Sequence, residues 1–274
     1  MKRRTMIACG IIALLFVLLI GRLIYFSIFK NGIYKRQVLS QQNYSSETLP
    51  YKRGDILDRD GNTLATSQKM YTLVLEPKNI LRSEEVQKST IDALHKYMKL
   101  DEDKLLKFIK RHKDSYYSVY REELSYSQIA DLKDFIASDK AENVSGIVFN
   151  EKYKRRYPNQ SLASQVIGFV SDGMIGTGGI EQYYNSTLSG VDGRKYKYLN
   201  EELEQDSSIV EPENGKTVVT TIDSNIQKLA EDQLSKFEKK YGSKGSSILV
   251  MNPNNGEIYA MANSTSYNLE KPKR

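Results

Sequence analysis

Cysteine is almost missing from this chain: Cys9 is the only one, so no intrachain disulfide can form. Histidine is nearly as scarce. His95 and His112, with no second thiol, are too few ligands for a structural zinc site, so neither a metal nor a cofactor is expected. A long basic stripe is also lacking. The formal charge is +6 over 274 residues, and cations are interleaved with acids, as in Asp101–Arg111. That pattern argues against a nucleic-acid partner and leaves open a surface facing anionic polymers or lipid headgroups. Hydrophobic residues make up 39%, low but sufficient for a globular core, and the length allows one large or two ordinary domains.

One long apolar run is present. Met6 to Phe29 is interrupted by a single charge, Arg22, and follows Lys2-Arg3-Arg4. A hydrocarbon core of roughly 30 Å needs about 20 helical residues, so the run is expected to span a lipid bilayer through residues 6–29. Arg22 lies near one end, where it can snorkel, and Tyr25 and Phe26 suit an interfacial aromatic belt. A cleaved signal peptide is the alternative, but Ile24 to Phe29 offers no small-x-small cleavage site. Both flanks are basic (Lys2, Arg3 and Arg4 against Lys30, Lys35 and Arg36), so charge alone does not orient the helix. A short tail is more easily retained than the long remainder. The expectation is a single-pass cell-membrane protein with a cytoplasmic N-terminus and an extracytoplasmic body. Cys9 precedes most of the apolar run rather than following it, which rules against a lipidation site.

Beyond the anchor, the stretch Arg53-Gly54-Asp55-Ile56-Leu57-Asp58-Arg59-Asp60-Gly61-Asn62-Thr63-Leu64-Ala65 reads as a β-hairpin. Ile56 and Leu57 supply the first arm, Asp60-Gly61 a two-residue turn, and Thr63 to Ala65 the return. Four charges, Arg53, Asp55, Asp58 and Arg59, crowd few apolar positions. They belong either to a solvated edge or to a docking point that pairs with another segment. Arg53-Gly54-Asp55 as an adhesive tripeptide is disfavoured, because such triplets arise by chance and this one lies in a predicted strand.

Residues 31–49 are polar and pass from helix to extended chain before Pro50. Lys69 to Leu75 is β-branched and aromatic, a strand ended by Pro77. From Ser83 to Lys140 the period becomes helical: Val86, Ile91, Leu94 and Met98 share a face, as do Leu105, Phe108 and Ile109. Ser125 with Gln128 caps a third helix. This predicts a packing insertion of two or three helices, in which Tyr116, Tyr117 and Tyr120 are half-buried aromatics. Val144 to Phe149 is a strand, Lys154-Arg155-Arg156 a solvated strand end or a polymer patch, and about Leu162 to Val170 a helix. Gly176 to Gly179 reads as a flexible loop before a helix from Ile180 to Leu188, with a turn at 191–193. Tyr196 to Ile209 alternates weakly and predicts paired strand and loop, and Val218 to Ile222 a buried strand. Asp223 or Ser224 caps a helix with Ile226, Leu229, Ala230 and Leu234 inward, and 247–251 with 257–262 form a hairpin. Residues 264–274 have no period. A domain begins near Thr217 without a complete set of elements.

Four segments, in order, resemble class B penicillin-binding proteins. They are the Arg53–Ala65 hairpin; Arg156-Tyr157-Pro158 with Ala163 and Gly168, similar to R-x-Y-P…A…G; Gly178-Gly179-Ile180-Glu181 with Tyr184, Leu188, Gly190 and Gly193; and Thr220-Thr221-Ile222-Asp223 with Gln227, Gly256-Glu257-Ile258 and Ala260-Met261-Ala262. The resemblance implies an α+β fold. Residues 1–30 would be tail and transmembrane anchor, 31–215 an elongated strand-and-helix pedestal (dimerisation) domain with the insertion at about 83–140, and 216–274 the incomplete start of a transpeptidase domain. It also implies a role in peptidoglycan synthesis, through D,D-transpeptidation of stem peptides by a serine acyl-enzyme. Partners would be a polytopic cell-wall glycosyltransferase, other cell-wall synthesis proteins and a second copy as homodimer.

The chemistry needs a Ser hydroxyl one helical turn from a Lys. Within these residues the only S-x-x-K is Ser27-Ile28-Phe29-Lys30, at the membrane boundary, and neither S-x-N after a nucleophile nor K-[ST]-G is present. The chain as given is therefore expected to be catalytically inactive. The resemblance makes Arg53, Gly54, Asp58, Arg59, Gly61, Arg156, Gly178, Gly179, Glu181, Gly190 and Gly193 inter-motif contacts, with Glu181 at a helix start pairing with Arg53 or Arg59. The rival reading is a non-catalytic membrane-anchored scaffold, or a decoy that binds the cell-wall polymerase.

Overall fold

The computed structural model describes residues 14–20, 22, 45–171, 173–199, 205–243 and 245–272. Residues 14–20 and 22 are helical. Among the described residues no helix is long and apolar enough to cross a membrane. Most of the expected 6–29 span, together with Ser27 and Lys30, lies outside them. The fold is mixed α and β, in two compact units: residues 45–49 with 192–212, and residues 50–191 with 213–272.

The smaller unit holds a three-stranded antiparallel sheet, β1 (Ser45–Leu49), β8 (Gly193–Leu199) and β9 (Gln205–Val210), with β8 in the middle. Glu47 stands opposite Lys195, and Lys195 opposite Ile209. The weak alternation of 196–209 is thus a paired ribbon.

The larger unit is built on β3 (Thr63–Leu75), a 13-residue strand whose second half is rich in aromatic and β-branched side chains. It pairs with β2 (Ile56–Leu57) near its start, β4 (Ser118–Leu124) flanks its second half, and β5 (Ile147–Arg156) runs beside it from Thr66 to Leu75. β10 (Val218–Val219) runs parallel to β2. Helices α1 (Pro77–Ile80), α2 (Glu84–Met98), α3 (Glu102–Arg111) and α4 (Tyr126–Ile136) cover one end. Their starts follow local chemistry. Ser83 Oγ accepts from the Val86 N–H, Asp101 Oδ1 accepts from the Lys104 N–H, and the Ser125 N–H donates to Gln128 Oε1. Leu73, Leu75, Ile80, Leu94, Leu105, Ile109 and Leu132 form the core there.

Several expectations need correcting. The insertion is not purely helical: Ser118–Leu124 is a strand, because pairing with the long β3 outweighs the weak pattern of SVYREEL. The helix expected over 162–170 is one turn, α5 (Ser164–Ile167), followed by β6 (Phe169–Ser171). β6 pairs with β7 (Ile175–Thr177), so Gly176 lies in a strand and not in a loop. Only Val218–Val219 of the expected buried strand is extended, and Val219 is 64% exposed, because its two-residue partner leaves one face uncovered.

Two short helices, α6 (Gly179–Tyr183) and α7 (Asn185–Leu188), follow β7. Then α8 (Ser224–Tyr241) packs on the hairpin of β11 (Ser247–Met251) and β12 (Ile258–Asn263). Asp223 accepts from the N–H groups of Asn225 and Ile226, capping α8. Ala230, Leu234, Ala260 and Ala262 form the small core between them. The aperiodic residues after 264 fold back on the larger core: Leu269 is buried, its N–H donates to Gln160 O at 3.0 Å, and the Tyr267 hydroxyl donates to Ser164 O at 3.1 Å.

Candidate functional site

The Arg53–Ala65 segment does form a hairpin, but its turn differs from the two-residue expectation. The Asp58 N–H donates to Asn62 O, leaving a three-residue loop, and Gly61 takes φ +85°. A side chain there would be strained. The driving group is Asp58, fully buried and far from a solvated edge charge. Its Oδ1 accepts from the N–H groups of Asp60 (2.9 Å) and Asn62 (2.8 Å). Its Oδ2 accepts from Asn62 Nδ2 (2.8 Å) and the Ser224 hydroxyl (2.6 Å). Burial pushes the Asp58 carboxyl up, but the hydroxyl, amide and backbone donors together outweigh it and hold the group at about 2. The folded value lies below the ordinary carboxylate range near 3.9. Asp58 therefore stabilises the fold fully above that range, and the contribution is lost as pH falls through about 2. Acid titration of Asp58→Asn is expected to lack this acid-sensitive component, seen as a flatter loss of melting temperature between about pH 4 and 2.

The preceding charge, Arg53, is also fully buried. Its Nε and Nη2 reach Glu181 Oε2 at 2.8 and 2.7 Å, Nη2 also donates to Glu181 O, and Nη1 donates to Ser189 Oγ and Met174 O. Glu181 sits in the first turn of α6 with no exposure. Its second oxygen, Oε1, takes Arg155 Nε at 2.7 Å and lies 3.4 Å from the Tyr157 hydroxyl. Arg155 Nη1 donates to Gly54 O and Ser67 Oγ, and Ser67 Oγ donates to Arg53 O. Burial, and next the Glu181 charge, raise the Tyr157 phenol well above its ordinary value, so it stays a neutral donor. The result is a buried Arg53–Glu181–Arg155 triad joining the hairpin, the end of β5 and α6.

Of the two partners expected for Glu181, the structure joins Arg53. Arg59 goes elsewhere: its N–H donates to Ile222 O, and its guanidinium stacks 4.4 Å from the Tyr259 ring. Arg156 is outside the triad, bonding Gln68 Oε1 and Glu270 Oε2 at the rim. Its neighbour Arg155 takes the inner place because alternate residues of β5 face opposite sides. The four-residue spelling R-x-Y-P begins at Arg155, so the signal for this missed residue was in the sequence. The glycines mark close approaches. A Cβ on Gly54 would lie 1.9 Å from Lys216 O, on Gly176 1.9 Å from Glu181 O, on Gly179 2.2 Å from Val166 O, and on Gly190 2.0 Å from Glu213 O. Gly178 has φ +73°, and a Cβ there would stand 4.0 Å from the Gly168 Cα, while Gly193 packs within the smaller unit against Val210 O.

The triad can lock three segments together, but it offers no chemistry of bond making. The hydroxyls of Ser67 and Ser189 accept from arginines, and their protons go to Arg53 O and Asn185 Oδ1, so among the described residues neither hydroxyl donates to a general base. Among the described residues no group of three or more His, Cys, Asp or Glu is placed to hold a metal ion.

Residues 48–220 match the family described as "Penicillin-binding Protein dimerisation domain". The chain is 28% identical over 269 residues to "Probable peptidoglycan D,D-transpeptidase PenA" of Neisseria meningitidis serogroup A, covering 96% of this chain and 44% of the relative. The crystal structure of Penicillin Binding Protein 2X from Streptococcus thermophilus is similar at TM-score 0.69 and 25% identity, over 83% of this chain and 36% of that one. The complex between Penicillin-Binding Protein (PBP2) and MreC from Helicobacter pylori shares the fold, at TM-score 0.55 and 24% identity, over 82% and 43%. The chain thus spans less than half the length of the relatives it matches.

Proposed function

This chain belongs to the penicillin-binding protein dimerisation-domain family, and on that premise we propose that it is the membrane-anchored stalk of a class B penicillin-binding protein serving peptidoglycan cross-linking. Residues 6–29 would anchor it in the cell membrane with the body outside, and residues 31–215 would be the pedestal. The triad carries this reading. Three segments up to 128 residues apart in sequence converge on one buried carboxylate that has no reactive neighbour, which suits a rigid support rather than a reaction centre.

Residues 216–274 would begin a transpeptidase domain. The outer face of the last hairpin supports this: Leu249 (58% exposed) and Met251 (50%) alternate with Ile248 and Val250, which pack toward α8, so the face turned away from the helix carries uncovered apolar side chains suited to a further layer. Partners would be a polytopic glycosyltransferase, other cell-wall proteins or a second copy, and stem peptides would be bound only where a complete catalytic domain follows. These 274 residues contain no suitably placed S-x-x-K, so they are expected to take no covalent label from a fluorescent penicillin. A labelled band at this chain's mass would overturn that. The same absence favours, as a second reading, a non-catalytic scaffold or decoy. Crosslinking in membranes that captures a polysaccharide synthase in the unlabelled state would select the decoy.

A further inference from the structure

A cavity of about 730 Å³ opens beside the triad, among the end of β5, the β6–β7 hairpin and residues 269–272. Its size falls within the range of small-ligand sites, about 300–1,000 Å³. Phe169, Val170 and Leu269 give it apolar walls, and Lys152, Lys154 and Arg155 give it cations. The two acids among the described lining residues are already engaged. Glu123 pairs with Lys154, and Glu270 accepts from the Tyr157 N–H at 2.7 Å and from Arg156 at 3.2 Å. Lys152 is held only loosely, 3.4 Å from an exposed Glu122.

The two triad arginines differ here. Arg53 does not line the cavity, and all three of its guanidinium nitrogens are bonded. Arg155 does line it, and while its Nε and Nη1 are bonded, Nη2 is buried without any hydrogen-bond partner. A buried charged donor without an acceptor is unfavourable and rare in folded proteins. The unused donor belongs to the one arginine that forms the cavity wall.

We propose that this cavity binds an anionic group, carboxylate or phosphate, carried on an apolar body, with Arg155 Nη2 as the anchor and Lys152, on the other face of β5, adding positive charge at the rim. Phe169, Val170 and Leu269 take the apolar part. Because Nη2 is shielded from water, the anion reaches it by pressing the wall aside, and the contact strengthens in that dry setting. The site stands independently of the stalk reading, since it needs only the described geometry.

The test is titration of the full chain with 3-phenylpropionate, phenyl phosphate and neutral 3-phenylpropanamide, followed by NMR shifts. At least one anion is expected to bind with Kd on the order of 1 mM, and the amide about tenfold more weakly or worse. The tighter of the two anions identifies the ligand class, and either result supports the site. Val170→Trp, which fills the cavity, should abolish binding while the chain keeps a cooperative melting transition. Lys152→Ala, at the exposed rim, should weaken it severalfold and serves if the first variant misfolds. Equal binding of acid and amide, indifference to both variants, or no saturation by either anion up to about 20 mM would each overturn the proposal.

Discussion

Glu181→Ala is expected to lower the stability of the larger unit by about 3–5 kcal/mol, because it leaves two buried guanidinium groups with no counter-charge. For a unit of this size, each kcal/mol corresponds to about 2–4 °C, so the melting temperature should fall by about 6–20 °C. The carboxylate accepts from Arg53 on one oxygen and Arg155 on the other, and neither arginine has an exposed route to water: Arg53 is at 0% and Arg155 at 6%. Glu181→Gln tests charge against shape, since the amide fills the same space but cannot balance two cations, and most of the loss should persist. Replacing all three charged residues by apolar ones of similar volume should destabilise less than Glu181→Ala alone, because a buried ion network is weakly stabilising relative to good apolar packing. An unchanged melting temperature for Glu181→Ala, measured by differential scanning calorimetry, would mean that water reaches the triad.

Gly54→Ala is expected to be comparably damaging for a steric reason. The added Cβ would stand 1.9 Å from Lys216 O and 2.5 Å from its carbonyl carbon, both backbone atoms that no rotamer change can remove. The Gly54 N–H donates to Leu188 O and its carbonyl accepts from Arg155, so the residue is held on both sides. Overpacking of side chains costs about 1–3 kcal/mol, and a backbone clash at a fixed joint should reach at least the upper end. Gly61→Ala is the control. Nothing lies within 4 Å of its Cβ, so only the positive φ opposes it, at about 1–2 kcal/mol. Chemical denaturation of the two variants should rank Gly54→Ala well below Gly61→Ala, and the reverse order would show that the joint yields easily.

Much of both units was readable from pattern. The caps expected at Ser125 and at Asp223 lie where side-chain oxygens take free N–H groups, and Ser83 and Asp101, not singled out in the sequence, do the same. The β11–β12 hairpin and the ribbon over 193–210 follow from alternation and turns. Short elements were harder. β4, β6, β7 and β10 have 2 to 7 residues and exist through their partners, so their own residues hold little of the information.

At the triad the division is sharper. The resemblance to class B penicillin-binding proteins placed Arg53, Glu181 and the R-x-Y-P run in one family pattern, and the sequence itself says that a Glu at a helix start is favoured there and can take a cation. Which cations it takes was settled only by the tertiary structure. Arg59 stacks on Tyr259 and Arg156 turns to the rim, while the pleat of β5 turns Arg155 inward. Sequence states the charges along a line, but a buried carboxylate selects its partners by distance and desolvation, and those exist only once the strand is paired and its faces assigned.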